Sequence, residues 1–459
     1  MTIGLEIHVA LKTKQKLFSS TNNSFEVNNF SLLDIGMPGV LPILSKEPVE
    51  MASAFALAVG SKLKRYSEFE RKHYFYPDLP LGYQITQQHK PILTGGFVPI
   101  KIDGSEKLIE IEHAHLECDA AKSIYSKYSD YAEIDISRCA SPLLEIVSMP
   151  CMHSPEEAKE YAKAVHSLVS ILEICDGKME EGSFRVDASI SLHRDISKLG
   201  TRVEIKNISS FSFLQNALTF EIGRQTEIIE SGGNIIMETR LFDESTNSTK
   251  TMRKKETVDE YRYMQDPDIL PVYIEDELIE YVKNNYFIDY FKTKEKLHKL
   301  FQKQNVYIEE SSLIQVLKNN KELCEEILKE EIISEKILRL IAFWLPEVLS
   351  KIKVIKNYQL KDLKVLYDSD LQAKEIKETL SKWLTTEYSL SECMPKFIDK
   401  SDIDILVIAI LSNYQEQIAK FKSGEHKILQ FLIGKVMSEL SGKVPASLIR
   451  DTVSRIISN

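Results

Sequence analysis

In the segment Ile3-Gly4-Leu5-Glu6-Ile7-His8-Val9, Glu6 and His8 stand two residues apart among apolar neighbours. Alternation with period two sets Ile3, Leu5, Ile7 and Val9 on one face of an extended strand and Glu6 with His8 on the other. The pattern recurs. Phe184-Arg185-Val186-Asp187-Ala188 pairs Arg185 with Asp187, and Val203-Glu204-Ile205-Lys206-Asn207 pairs Glu204 with Lys206. Glu112, His113, His115, Glu117 and Asp119 crowd one further segment. In Pro142-Leu143-Leu144-Glu145-Ile146-Val147 the lone carboxylate of Glu145 interrupts an apolar run, where a charge is costly unless it is paired or holds a metal. Such residues could bind a hard divalent cation, which takes carboxylate oxygens together with the phosphates of a substrate. A half-solvated antiparallel sheet alternates in the same way, and the residues alone leave both readings open.

These strands belong to a front half, up to about residue 280, in which short alternating segments are broken by Gly, Pro and Asn. Ser154-Pro155-Glu156-Glu157 opens a helix expected to run to about Leu172, and a second is expected over Phe213 to Glu230, stopped by Gly232-Gly233. Beyond about 285, Lys/Glu/Leu/Ile-rich segments with helical spacing take over, such as Leu313 to Leu328 and Glu335 to Lys351. Breaks at Lys356-Asn357-Tyr358 and Lys422-Ser423-Gly424 divide this helical half. No internal repeat or low-complexity tract is visible.

A chain of 459 residues, 43% hydrophobic and 27% charged, is a globular sequence long enough for two to four domains. No apolar run approaches the roughly 18 residues of a membrane helix, and the start lacks the features of a signal peptide. The expected location is the cytosol, with an organelle as the alternative. The six cysteines, at 118, 139, 151, 175, 324 and 393, form no C-x-x-C pair, so neither a zinc site nor a disulfide framework is expected. The net charge of −10 divides into −13 over residues 1–280 and +3 over 281–459, which argues against nucleic acid wrapping the whole chain. There is no G-x-x-x-x-G-K-[ST] loop, no strand-linked G-x-G-x-x-G, no G-x-S-x-G and no H-E-x-x-H. A bound nucleotide would have to be held by something other than a P-loop or a Rossmann turn.

The sequence resembles the GatB family, the B subunits of the aspartyl/glutamyl-tRNA amidotransferases. The stretches that carry the likeness include Ile3 to Val9, Pro38-Gly39-Val40-Leu41-Pro42, Tyr74-Phe75-Tyr76-Pro77-Asp78-Leu79-Pro80 and Gly82-Tyr83-Gln84-Ile85. Pro142 to Ser148, Met179-Glu180-Glu181-Gly182-Ser183, Glu204-Ile205-Lys206-Asn207, Phe242-Asp243-Glu244 and Asp266-Pro267-Asp268 continue it in the family's order. Phe431-Leu432-Ile433-Gly434-Lys435-Val436-Met437 is similar to the family's YqeY-type tail.

The resemblance implies an α+β fold. An antiparallel-sheet cradle of the glutamine-synthetase-like kind would occupy 1–285, a helical linker domain 286–355, and an all-α tRNA-binding tail 356–459. It implies an ATP- and Mg²⁺-dependent carbon–nitrogen ligase with glutamine as amido donor. Such an enzyme phosphorylates the side-chain carboxylate of misacylated Glu-tRNA(Gln) or Asp-tRNA(Asn) and amidates it with ammonia. The implied partners are the amidase subunit GatA, the small subunit GatC and the tRNA. Family metal and catalytic positions carry onto Glu6, His8, Glu117 and Glu145, with Asp187, Glu204 and Lys206 lining the same basin. Arg185, Tyr76, Asp78 and Tyr83 are the implied nucleotide contacts, and Lys374, Lys377, Lys435 and Lys443 the implied tRNA phosphate contacts.

The chain departs from the family at several points. Ala10 follows the first strand where Glu is usual, and His73 stands for Asn. The acidic E-E-D-A-G-K motif is Glu117-Cys118-Asp119-Ala120-Ala121-Lys122, and Tyr-Phe-Pro is Tyr263-Met264-Gln265. Two family glycines are Ala121 and Ala140, exchanges that predict negative φ at both. The departures leave two rivals to the amidating enzyme: a non-catalytic tRNA-binding subunit with a decayed metal site, and a ligase amidating something other than tRNA.

Overall fold

The computed structural model of the chain describes residues 1–24, 29–125, 131–195, 198–254, 258–330, 333–354, 356–369, 371–395, 400–423, 428–440, 444 and 446–458. It forms two compact units, Met1–Phe291 and Lys292–Asn459.

The first unit is built on a ten-stranded sheet of β1 (Thr2–Ala10), β2 (Lys62–Leu63), β3 (Leu93–Thr94), β4 (Phe97–Ile102), β5 (Ser105–Cys118), β6 (Pro142–Ser148), β7 (Phe184–Ser191), β8 (Val203–Ile208), β9 (Glu238–Asp243) and β10 (Ser248–Lys254). Its order is β10-β9-β8-β7-β1-β6-β5-β3-β2, with β4 paired to the first half of β5. The first strand of the chain is therefore central, between β6 and β7.

The alternation read from the sequence holds on β1: Ile3, Leu5, Ile7 and Val9 are all at most 1% exposed, each worth about 1.5–3 kcal/mol of apolar burial. Helix α1 (Lys46–Ala58) precedes β2, and helices α2 (Pro155–Ile171) and α3 (Phe211–Glu230) pack on the apolar face. Helix α2 does so through Ala158, Tyr161, Ala162, Val165, Leu168 and Val169, the spacing of one helical stripe. Its start is as expected: Ser154 Oγ accepts a hydrogen bond from the Glu157 amide at 3.1 Å. Helix α3 begins two residues earlier than expected, because Ser210 caps it by accepting from the Phe213 amide.

Three expectations need correction. The sheet is antiparallel except for one pair, β8 and β9, which run parallel. The cause is α3, the crossover between them, since a strand returning after a packed helix enters in the same direction. The helix expected over Leu313 to Leu328 is two helices, Glu310–Asn319 and Lys321–Lys329. Asn320 breaks it with an extended backbone. Its side-chain oxygen caps the Leu323 amide at 2.9 Å, while its amide nitrogen donates to the Tyr358 carbonyl. Finally, Ala140 has φ +61°, the left-handed region. Three backbone hydrogen bonds hold it there: its amide donates to the Asp119 carbonyl, its own carbonyl accepts from Leu17, and the Asp119 amide bonds the next residue, Ser141.

In the second unit the helices Leu360–Asp368 and Ala373–Thr385 pack on the helices between Lys321 and Leu349. Residues 403–457 have an apolar core of their own around Val407, Leu432, Val436 and Val453.

Two stability effects follow. Ala140→Gly removes a left-handed alanine strain of about 1–2 kcal/mol against a smaller glycine entropy cost, so the urea midpoint should rise by the equivalent of about 0.5–1 kcal/mol at unchanged m-value. Asn320→Ala deletes a buried cap and should lower stability by about 1–2 kcal/mol in the same measurement.

Candidate functional site

The face of the sheet opposite α2 and α3 carries the charged residues, and strand register brings them together. Arg185 on β7 lies opposite His8 on β1, His8 opposite Glu145 on β6, and Glu145 opposite His115 on β5. One row of side chains thus crosses four strands. In the row on one side of it Asp187 lies opposite Glu6, and in the row on the other side Glu117 lies opposite Leu143.

His8 sits at the centre. Its Nε2 is 3.3 Å from Glu145 Oε2, 3.6 Å from Glu117 Oε1 and 3.8 Å from Glu6 Oε1. On the far side of the same carboxylates, His115 Nε2 is 3.5 Å from Glu145 Oε2 and 3.7 Å from Glu117 Oε2. Glu117 is buried, Glu145 nearly so, and Glu6 is one-third exposed at the mouth.

Around this core run counter-charges. Lys206 bridges Asp187 at 2.5 Å and Glu204 at 3.2 Å, and Glu204 also accepts from Thr239 Oγ1 at 3.1 Å. Asp119 receives Arg185 on one oxygen and Arg138 on the other, both at 3.2 Å. A cleft of about 610 Å³ adjoins the basin and shares Arg185 and Asp187 with it; Lys122, Arg138, Glu181 and Asn207 are among its other walls.

The proton affinities express the crowding. Glu145 and burial together push Glu6 up to about 7, against the pull of His8 and Lys206. Burial disfavours the charged form of His8, but Glu145, Glu117 and Glu6 outweigh it and raise the imidazole to about 9. Burial is likewise overcome at His115, raised to about 10 by Glu145 and Glu117. Glu145 is held well below its ordinary value, because His115 and His8 outweigh its desolvation. Burial, helped by the charge of His115, takes the neighbouring His113 down to about 4. Protons therefore collect on the two imidazoles, where the carboxylates would otherwise face one another uncompensated.

The residues fit a hard divalent cation. His8, Glu117 and Glu145 offer ligand atoms within 4.8 Å of one another, and so do Glu6, His8 and Asp187. Carboxylate oxygens dominate the set, as Mg²⁺ requires, and the open side at Glu6 leaves room for phosphate or water.

The four residues Glu6, His8, Glu117 and Glu145 thus meet in one place, with Asp187, Glu204, Lys206 and Arg185 at its edge. Tyr76, Asp78 and Tyr83 lie on a neighbouring loop and strand instead. Tyr76 packs on Tyr74, the Asp78 carbonyl accepts from the Ala121 amide, and the Tyr83 ring lies under Arg71, which Asp266 and Asp268 hold. Of the four lysines, Lys374 is exposed and Lys435 lies over the Phe431 ring. Lys377 is ion-paired with Glu347, and Lys443 lies outside the described residues.

Of the site residues, Arg138 is not singled out by the sequence, and His115 and Asp119 stand there only among the five polar residues of one crowded segment. Alternation sets His115 on the face of Glu117, but it sets His113 there as well. Asp119 and Arg138 lie beyond the strand in loop, where no periodicity applies.

Known proteins resemble the chain over nearly its whole length. Residues 1–280 match the GatB/GatE catalytic domain, and residues 322–457 match the GatB domain. The B subunit of the aspartyl/glutamyl-tRNA(Asn/Gln) amidotransferase of Legionella pneumophila (strain Philadelphia 1) is 38% identical over 96% of both chains. That of Vesicomyosocius okutanii is 38% identical over 99% of this chain and 98% of its own, and that of Nitrosococcus oceani 37% identical over 99% of each. With the catalytic-domain match covering more than half of its length and such relatives aligned nearly end to end, the chain belongs to the GatB family.

Proposed function

We propose that the chain is the B subunit of a glutamine-dependent tRNA amidotransferase, working with an amidase subunit, GatA, and a small subunit, GatC. In this reading residues 1–285 are the catalytic cradle, of the glutamine-synthetase-like kind, 286–355 a helical linker and 356–459 the tail that holds tRNA. The reaction converts Glu-tRNA(Gln) or Asp-tRNA(Asn) to the amide with ATP, wherever charged tRNA is used: the cytosol or an organelle. No described helix is long and apolar enough to cross a membrane.

The observation that carries the reading is the convergence of Glu6, His8, Glu117 and Glu145 around one point, in a chain whose catalytic-domain match covers residues 1–280 of that unit. A carboxylate is inert to ammonia because its oxygen is a poor leaving group. Attack of that oxygen on the γ-phosphorus of ATP, with ADP leaving, gives an acyl phosphate. Ammonia then adds to the acyl carbon and inorganic phosphate departs.

Phosphoryl transfer asks the protein mainly for position and charge. Glu6, His8, Glu117 and Glu145 would hold Mg²⁺, which when bound neutralises phosphate charge that an acidic basin would otherwise repel. Lys206 and Arg185 flank the basin on the side of the cleft, with Arg138 alongside, where their charges would meet the phosphates. Arg138 and Arg185 share one carboxylate, so the pair keeps a net positive charge facing that space.

The test uses the chain assembled with its amidase and small subunits. Glu-tRNA(Gln), glutamine and Mg²⁺ are supplied with and without ATP, and the esterified amino acid is identified. ATP-dependent formation of Gln is expected, reduced about 100-fold or more in Glu145→Ala and in His8→Ala, the loss of several kcal/mol of charge stabilisation. Absence of amide with tRNA still bound would sink the catalytic reading in favour of a non-catalytic binding subunit. Absence of salt-sensitive tRNA affinity would instead point to a different amide acceptor.

A further inference from the structure

The reading above makes no use of His115, although it is the other imidazole on the carboxylate pair. It is 5% exposed, and its ring stacks on His113 with centroids 5.4 Å apart and planes 18° apart. Its Nδ1 is buried with no hydrogen-bond partner. A residue serving only for packing has no reason to leave a ring nitrogen stranded, at the cost of its desolvation, when leucine or phenylalanine would fill the space without that loss. The polar business of the ring is therefore at Nε2.

There the two imidazoles divide the carboxylates between them. Glu117 turns Oε1 toward His8 and Oε2 toward His115, and Glu145 Oε2 lies between the two rings, 3.3 Å from His8 and 3.5 Å from His115. The positions are not equivalent. His8 also reaches Glu6 at the open mouth, whereas the contacts of His115 are Glu117 and Glu145, from behind.

We propose that His115 is a positioning residue for the cation site: contact from its Nε2 fixes the rotation of Glu117 and Glu145, and with it the direction in which Glu117 Oε1 and the shared Glu145 Oε2 are presented to a cation beside His8 and Glu6. This rests on the reading of the basin as a cation site. Ligating carboxylates are commonly oriented by such outer partners, whose loss weakens metal binding about 10- to 100-fold.

The experiment titrates Mn²⁺, as a paramagnetic probe, into the assembled complex, reading affinity from the free-ion resonance and directly bound imidazole from ¹⁴N spin-echo modulation. In His115→Leu the affinity should fall about 10- to 100-fold while the ¹⁴N modulation persists, because His8 still ligates. His115→Gln, which restores a donor, should recover part of the affinity, and it carries the test if the leucine variant does not fold. His8→Gln should abolish the modulation. Affinity within twofold of the parent in both His115 variants would overturn the proposal, and so would modulation lost on changing His115, which would make it a ligand. If Glu145→Ala binds Mn²⁺ as the parent does, the cation reading of the basin fails, a result distinct from failure at His115 alone.

Discussion

Carboxylates that are withdrawn from water and set within a few ångströms of each other repel strongly unless positive charge is interleaved. The front unit is organised around meeting that condition. Glu6, Glu117, Glu145, Asp187, Glu204 and Asp119 all face one side of the sheet. His8 and His115 stand within the inner group, Lys206 between Asp187 and Glu204, and Arg138 with Arg185 about Asp119. Each acid has a base beside it, yet the central balance depends on protonated imidazoles, which a divalent cation can replace.

The backbone makes this interleaving automatic. Cross-strand neighbours on one face lie about 5 Å apart, so His8, Glu145 and His115 across β1, β6 and β5 set one acid between two bases, with Arg185 on β7 beyond His8, without any loop having to place a side chain. A one-residue slip of β1 would turn Glu6 and His8 into the packed layer of α2 and α3 and bring Ile7 to the basin, so the apolar face enforces the register of the charged one. Lys206 depends on a looser device. The register between β7 and β8 shifts between Val186 and Ala188, and beyond that point direct opposition no longer assigns partners.

What can be read from the sequence is what period-two patterning controls. The faces of β1, β7 and β8, the isolation of Glu145 and the cap at Ser154 follow from residue type and spacing alone. Features set by partners distant in the chain cannot be read. Asn320 ends a helix because the carbonyl of Tyr358 is there to receive its amide, and Ala140 is forced to positive φ by its bonds to Asp119 and Leu17. Lys377 reads as a free cation because Glu347, its partner, lies thirty positions away. His115 lies in plain view among five polar residues, but alternation alone cannot rank it above His113, and their different surroundings come from the strands on either side.

The central place of β1 also bears on how the chain is made. Its register partners, Glu145 for His8 and Arg185 for the same residue, are 137 and 177 positions downstream. At about 5–20 residues per second, the ribosome delivers them roughly 7–35 s after the first strand has been synthesised. Throughout that interval a strand with four apolar side chains on one face has neither sheet neighbours nor helix cover. The apolar face of the first strand therefore stays uncovered until β6, α2 and β7 have followed it out of the ribosome.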